Sequence, residues 1–455
     1  MSPELDFELL SRYSVAGPRY TSYPTAPQFS EQFTGEDLAR EIAGTDAAAR
    51  PLSLYVHLPF CESVCFYCGC NATFTADKSR SAAYVGTLLR EVDLTRAQLS
   101  ADREVAQLHW GGGTPTFFAP RELDELIAGL KARFRFAADA ELGVEVDPRA
   151  TTAEHLRVLG AAGFNRLSVG IQDFDPAVQR AVNREQSAER TLTVITEARR
   201  RGMRSVSVDL MYGLPRQSRD SFARTLDQTL ALAPDRLALF NFAYLPEMIR
   251  HQQAIKAEEL PSPAEKLAIF QLAVERLSAA GYKYVGMDHF ARADDDLCRA
   301  QRARKLIRNF QGYSTHADCD LLAFGVSAIS SPGRVYAQNH KNIHDYLAAV
   351  AGSRSAVARG IRLTDDDVLR REVIMRLMCD FELDTLAFGG KFNINFPRYF
   401  AESLSALEPL AADGLLTISG DKITITPTGR FLIRNIAMCF DAYLKSGVNR
   451  FSKTV

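Results

Sequence analysis

A chain of 455 residues exceeds one ordinary hydrophobic core and is expected to divide into a large domain and a smaller companion. Its 46% hydrophobic and 24% charged residues exclude disorder as the main state, and a formal net charge of -1, from 54 basic and 55 acidic residues, gives no electrostatic basis for nucleic-acid binding. No apolar run reaches the ~18 residues of a membrane span, and the acidic start "MSPELDFELLSRYS" lacks the basic and apolar segments of a signal peptide. A cytoplasmic location without membrane insertion is therefore expected, with cysteines kept reduced.

Taken in chain order, strand candidates occur at residues 53–60 ("SLYVHLPF"), 105–113, 141–148, 165–172, 205–215 and 236–246. Between them lie segments such as "AAYVGTLLREVDLTRAQL" and "RELDELIAGLKARF", whose apolar residues recur at helical spacing. This βα alternation predicts an α/β fold with a parallel sheet curling into a partial (β/α)6 barrel. Chemistry in such folds gathers at the C-terminal ends of strands. From about residue 360 the texture changes. "TDDDVLRREVIMRLMCDFELD" reads as a capped helix, "YFAESLSALEPLAADG" as a second, and the stretch from "LLTISGDKITITP" onward as a hairpin around Gly420 and Asp421 followed by a helix. The order is winged-helix-like and mainly helical, but without a basic recognition helix no DNA partner is expected.

Four of the eight cysteines fall within "CESVCFYCGC", residues 61–70, directly after the first strand candidate. Cys61, Cys65 and Cys68 form a CxxxCxxC pattern that can wrap one soft-metal centre. Zinc would want a fourth protein ligand, whereas an iron-sulfur cluster on three cysteines leaves one iron open to a ligand. A closed zinc site or a four-cysteine cluster using Cys70 is the alternative. Gly111, Gly112 and Gly113 close the second strand, where a missing Cβ lets backbone approach a ligand, although a tight turn would use glycines too. Glu145 lies near the end of the third strand candidate, Gln172 ends the fourth, Asp209 lies within the fifth and Ala243 late in the sixth, so one pocket can collect them. His57, His289 and Cys70 are candidate proton donors or substrate-facing groups, with satisfied core histidines as the rival reading. Cys298, Cys319, Cys379 and Cys439 show no ligand spacing and read as buried thiols.

"YVHLPFCESVCFYCGCN" resembles the cluster loop of radical S-adenosylmethionine enzymes. Together with "RYTSYPTAPQF" upstream and "HWGGGTPTF", "GVEVDPR", "SVGIQDFD", "VNREQ", "VDLMYGLP", "GMDHFA", "RNFQGYST" and "GVSAIS" downstream, it resembles the oxygen-independent coproporphyrinogen III oxidases over almost the whole chain. The resemblance implies a 4Fe-4S cluster on Cys61, Cys65 and Cys68, whose open iron chelates S-adenosylmethionine. One electron then cleaves the sulfonium to give a 5′-deoxyadenosyl radical. It implies S-adenosylmethionine contacts, for two molecules, from Tyr55, Tyr67, Gly112, Gly113, Thr114, Glu145, Gln172, Arg184, Asp209, Ala243 and Ile329. No catalytic side chain is fixed, with Cys70 and His57 as candidates.

The implied reaction abstracts hydrogen from two propionates of coproporphyrinogen III and releases carbon dioxide, leaving the vinyl groups of protoporphyrinogen IX. Four carboxylates call for arginine forks, and Arg19, Arg302, Arg304, Lys305, Arg308 and Arg434 are the candidates, with a solvated basic helix face as the alternative for "QRARKLIRNF". The implied partners are the tetrapyrrole and an electron donor, and the implied state is a monomer. The expected divisions are a substrate-covering extension at 1–50, the barrel at 51–250, linking elements at 251–359 and a C-terminal helical domain at 360–455. Action on another tetrapyrrole such as haem, or a non-catalytic haem-binding chaperone, are the alternatives.

Overall fold

The computed structural model describes residues 7–100, 102–444, 451–452 and 454. They form two compact units that interleave along the chain, one made of Phe29–Pro261 with Asp318–Arg362, the other of Met1–Gln28, Ser262–Ala317 and Leu363–Val455.

In the first unit all six expected strands form: β1 (Leu52–Leu58), β2 (Glu104–Gly112), β3 (Arg135–Val146), β4 (Arg166–Gln172), β5 (Ser205–Tyr212) and β6 (Arg236–Asn241). They pair in parallel in chain order, as helical crossovers require. A seventh strand, β7 (Asp320–Phe324), lies parallel to β1 on its other side, with Leu52 opposite Asp320 and Val56 opposite Phe324. All of β7 is buried, so it carries no alternation to announce it, and its partner is far away in sequence.

Period-two alternation along β4 and β5 divides the sheet into two faces. Leu167, Val169, Ile171, Val206, Val208 and Leu210 are buried, whereas Ser168, Gly170, Gln172, Ser207, Asp209 and Met211 are only half-buried. The crossover helices start on local caps: Thr152 Oγ1 accepts the His155 amide at 3.3 Å, and Ser218 Oγ accepts the Ser221 amide at 3.2 Å. Trp110, at the end of β2, is fully buried against Phe164, with ring centroids 4.6 Å apart.

In the second unit the helix Asp365–Asp380 begins with the capping box of Thr364 and Asp367. The expected hairpin forms between Leu416–Ser419 and Lys422–Ile425, and Glu382–Asp384 adds a third strand beside it. The helices Ala401–Ala412 and Ile433–Met438 complete the winged-helix-like order. The chain up to Gln28 belongs to this unit. Tyr20 donates its hydroxyl to Asp441 at 2.9 Å, and the Tyr23 hydroxyl accepts the Ala442 amide at 3.0 Å.

The basic run "QRARKLIRNF" is not one helix face. The helix Asp296–Arg302 ends first, and Arg304 turns the chain at φ 53°. Arg302, Arg304 and Lys305 are exposed, and Arg304 pairs with Glu382 at 2.5 Å. Arg308 is buried and donates through Nε to the Arg19 carbonyl at 3.2 Å. Arg19 pairs with Asp288, and Arg434 donates to the carbonyls of Pro18, at 2.9 Å, and Gly17. His289 is half-buried with its Nδ1 2.6 Å from the Met287 carbonyl, and desolvation followed by the charge of Arg308 lowers it to about 4. Among the described residues no helix is long and apolar enough to cross a membrane.

Candidate active site

The loop after β1 is fastened before it reaches the cysteines. The Gly113 and Thr114 amides donate to the Leu58 and Phe60 carbonyls, each at 2.9 Å, and the Thr75 amide donates to the Cys61 carbonyl at 2.9 Å. Farther along, the Phe66 amide reaches the Val182 carbonyl at 3.0 Å, and Asn183 Nδ2 reaches the Val64 carbonyl at 2.8 Å. Phe66 and Tyr67 pack on Val178, Val182, Leu214, Phe242 and Ile255. That contact explains the aromatics between the cysteines: they anchor the loop to apolar surface, and Tyr67 also reaches the cavity that the thiols line.

Cys61, Cys65, Cys68 and Cys70 line one cavity of about 240 Å³ at the C-terminal ends of the strands, together with Tyr67, Gly112, Gly113, Thr114, Glu145, Gln172, Arg184 and Asp209. Each sulfur of the CxxxCxxC triplet has a polar partner. Cys61 Sγ lies 3.3 Å from Thr114 Oγ1, Cys65 Sγ accepts from Arg149 Nη2 at 3.3 Å, and Cys68 Sγ accepts the Cys70 amide at 3.4 Å. A hydrogen bond from the Cys70 thiol, helped by the Cys70 amide, lowers the Cys68 thiol to about 6, whereas burial pushes Cys61 up to about 12. Cys68 is the readiest thiolate, and a cationic centre would offset the cost of ionising Cys61.

The opposite wall is made of strand ends. Gly112 has φ 116°, and a Cβ there would lie 2.6 Å from the His57 ring; a Cβ on Gly113 would lie 2.5 Å from the Pro59 carbonyl oxygen. Both glycines are thus packed so closely against the segment around His57 and Pro59 that no side chain fits, while Gly112 and Gly113 themselves line the cavity. Glu145 Oε1 meets His109 Nε2 at 3.1 Å, and Oε2 accepts the Gly112 amide at 3.3 Å. Burial works to raise Glu145, but His109 and the Gly112 amide outweigh it and hold the carboxyl below its ordinary value. Asp209 keeps only a long contact with Ser168 Oγ, 3.4 Å, and burial followed by the charge of Glu145 pushes it up to about 7. Gln172 sits at a register irregularity of β4 with φ 68°, and its buried Oε1 accepts no hydrogen bond. A left-handed non-glycine residue with an unsatisfied oxygen is strain of the kind found at ligand sites.

Tyr55, His57, Ala243 and Ile329 are not among the residues lining this cavity. The Tyr55 hydroxyl lies 3.0 Å from His57 Nδ1, and His57 Nε2 lies 2.9 Å from the Asn71 carbonyl. Burial lowers His57. The Ala243 carbonyl accepts from Gln252 Nε2 at 3.1 Å, and Ile329 opens a short strand paired with Val335–Asn339.

Sequence reasoning missed Asp147, Arg149 and Ser168, which also line the cavity. Asp147 holds Arg149 at 2.7 Å and Arg184 at 2.9 Å, and although burial opposes it, these two guanidiniums keep its carboxyl low. Asp147 and Arg149 were within reach in "GVEVDPR", and Ser168 shares a strand face with Gly170 and Gln172. His251, 2.6 Å from the Cys68 carbonyl, gave no sequence signal.

The donor set fits an iron-sulfur cluster with an organic ligand. Three thiols from one short loop line the same cavity, which suits an iron-sulfur cluster that keeps one iron open to a further ligand. The glycine surface, the open carboxylates and the unsatisfied Gln172 oxygen suit a ligand carrying cationic and hydroxyl groups.

Residues 55–229 match the Radical SAM superfamily, and residues 363–432 match the HemN C-terminal domain. The chain is 48% identical over 453 residues to the oxygen-independent coproporphyrinogen III oxidase of Pseudomonas aeruginosa, covering 99% of this chain and 98% of that one. It is likewise 48% identical over 452 residues to the protein of that name from Escherichia coli, with coverage of 99% and 98%. The solved structure of coproporphyrinogen III oxidase from Escherichia coli, described as a radical SAM enzyme, matches with a TM-score of 0.93 at 46% identity over 97% of this chain and 100% of that one.

Proposed function

Because the chain belongs to the oxygen-independent coproporphyrinogen III oxidases, within the Radical SAM superfamily, we propose that it converts two propionates of coproporphyrinogen III to vinyl groups, giving protoporphyrinogen IX in haem biosynthesis. The observation that carries this reading is one cavity joining the three loop thiols, the glycine strand end and the open carboxylates. When bound, a reduced 4Fe-4S cluster with S-adenosylmethionine supplies a 5′-deoxyadenosyl radical for hydrogen abstraction.

Cys61, Cys65 and Cys68 are the cluster ligands in this reading, and Cys70 stays free to face the cavity. Gly112 and Gly113 offer backbone to the methionine part, while Glu145, Gln172 and Asp209 accept from its ammonium and ribose hydroxyl groups. Arg184 meets a carboxylate. Tyr55, Tyr67, Thr114, Ala243 and Ile329 complete the contacts to two S-adenosylmethionine molecules, which match two decarboxylations. The enzyme works as a cytoplasmic monomer reduced by a one-electron donor, with residues 1–50 covering substrate.

The test is an anaerobic assay of reconstituted, reduced protein with S-adenosylmethionine and coproporphyrinogen III, following vinyl product, methionine and 5′-deoxyadenosine. Vinyl product that disappears in Cys65→Ala is the expected result. Cleavage of S-adenosylmethionine without vinyl product would redirect the reading to another tetrapyrrole. A spectroscopically intact cluster that cleaves nothing would favour haem binding without catalysis.

A further inference from the structure

The three sulfurs differ in the charge of their partners. Cys61 Sγ bonds with the Thr114 hydroxyl and Cys68 Sγ with the Cys70 thiol and amide, all neutral groups, while His251 and Arg184 act on Cys68 through charge without a hydrogen bond to its sulfur. Cys65, 7% exposed, faces guanidinium groups: Arg149 Nη2 at 3.3 Å and Arg184 Nη1 at 3.7 Å. The Arg184 contact is the longer one, and that side chain is already held by the Gly170 carbonyl at 2.6 Å and by Asp147 at 2.9 Å.

Arg149 is aimed by a built framework. Asp147 Oδ1 accepts its amide at 2.9 Å and its Nε at 3.1 Å, and Asp147 Oδ2 takes Nη2 at 2.7 Å. Arg190 donates to the Pro148 carbonyl at 2.7 Å and to the Arg149 carbonyl. Thr151 Oγ1 holds the Asp147 carbonyl at 2.8 Å. A surface ion pair would need none of this.

Resting on the reading of Cys65 as a cluster ligand, we propose that Arg149 sets the reduction potential of the 4Fe-4S cluster through its charged N–H···S bond to Cys65, raising it and so easing the electron's entry. The physical reason is that added electron density on the cluster strengthens a hydrogen bond to sulfur and the attraction to a nearby cation. Cluster potentials respond to both. The step is the transfer of one electron from a low-potential donor, dithionite in the test, which is oxidised as the cluster is reduced. No proton moves and no bond is made or broken. Asp147 acts through Arg149 as its positioning residue.

The experiment is an anaerobic redox titration, followed by electron paramagnetic resonance, of the reconstituted full chain without S-adenosylmethionine, with iron and sulfide content measured alongside. In fully loaded Arg149→Gln the reduced-to-oxidised ratio at the wild-type midpoint is expected to fall threefold to tenfold; a tenfold fall is ~59 mV for a one-electron couple. An unchanged midpoint at full iron content overturns the proposal and leaves Arg149 as a structural partner of Asp147. Should the glutamine variant not hold iron, Arg149→Met and Arg149→Lys carry the same comparison at nearly constant side-chain length. A lower midpoint for methionine than for lysine supports the proposal, and equal midpoints overturn it.

Discussion

Asp147 and Asp209 line the same cavity, one just past β3 and the other within β5, yet their surroundings push them in opposite directions. Burial acts to raise both. At Asp147 two guanidiniums more than cancel it and the carboxyl is held low. At Asp209 the next largest influence is the like charge of Glu145, and the carboxyl rises to about 7. The thiol side thus carries its own cations, whereas on the carboxylate side Asp209 has the like charge of Glu145 near it and no guanidinium hydrogen-bonded to it. In the proposed reading, the ammonium and sulfonium of S-adenosylmethionine would supply positive charge there.

Four substitutions test that contrast. Gly113→Ala strikes both sides, because its Cβ would press on the Pro59 carbonyl at 2.5 Å and the Phe60 carbonyl at 2.9 Å. At least ~100-fold loss of 5′-deoxyadenosine formation is expected, roughly 3 kcal/mol in the barrier. A variant with near-normal turnover would show that the glycine surface is only a turn.

Asp147→Asn leaves two half-buried or buried guanidiniums without their anion and is expected to cost about 3 kcal/mol of stability, read as a fall in unfolding temperature at neutral pH. Because its folded value is depressed, the stability Asp147 contributes is present above the unfolded value and is lost as pH falls through the folded one. The deficit of the variant therefore narrows toward strongly acid pH.

Asp209→Asn should do the reverse. Between its ordinary 3.8 and about 7 the folded chain holds a proton that the unfolded chain has released, so stability declines as pH rises through that window. Removing the charge is expected to stabilise ligand-free protein by about 2 kcal/mol at pH 8, with the gain vanishing near pH 4, while S-adenosylmethionine binding weakens roughly tenfold. Destabilisation at pH 8 would refute the comparison. Smallest of all, Arg304→Ala removes an exposed pair with Glu382 and is expected to change stability by less than ~0.5 kcal/mol, with turnover unaltered.

Local patterns carried much of the fold. The six strands announced themselves by apolar runs ending in glycine or polar residues, and the Thr364 cap and Gly420 turn by side-chain chemistry that acts within a few residues. β7 was invisible because nothing local records a partner across the chain, and the second unit was hard to delimit because it is assembled from three separate stretches. In the site, the thiol triplet and the glycines were legible from spacing. Arg149 stood in the quoted motif "GVEVDPR" without its role showing, because an arginine beside an aspartate reads as an ordinary ion pair until its second direction, toward Cys65, is seen.

β7 also bears on how the protein is made. β1, which carries the cysteine loop, finds its partner on one side in β2 soon after synthesis, but its other edge stays unpaired until residues 320–324 emerge. At ribosomal speeds of about 5–20 residues per second that interval is roughly 15–50 s. During it the nascent chain displays an open, apolar parallel edge beside reactive thiols, a condition that invites mispairing with other chains. Yield of native protein should therefore depend on what shields that edge during translation, and slowing elongation between β6 and β7 should lower it.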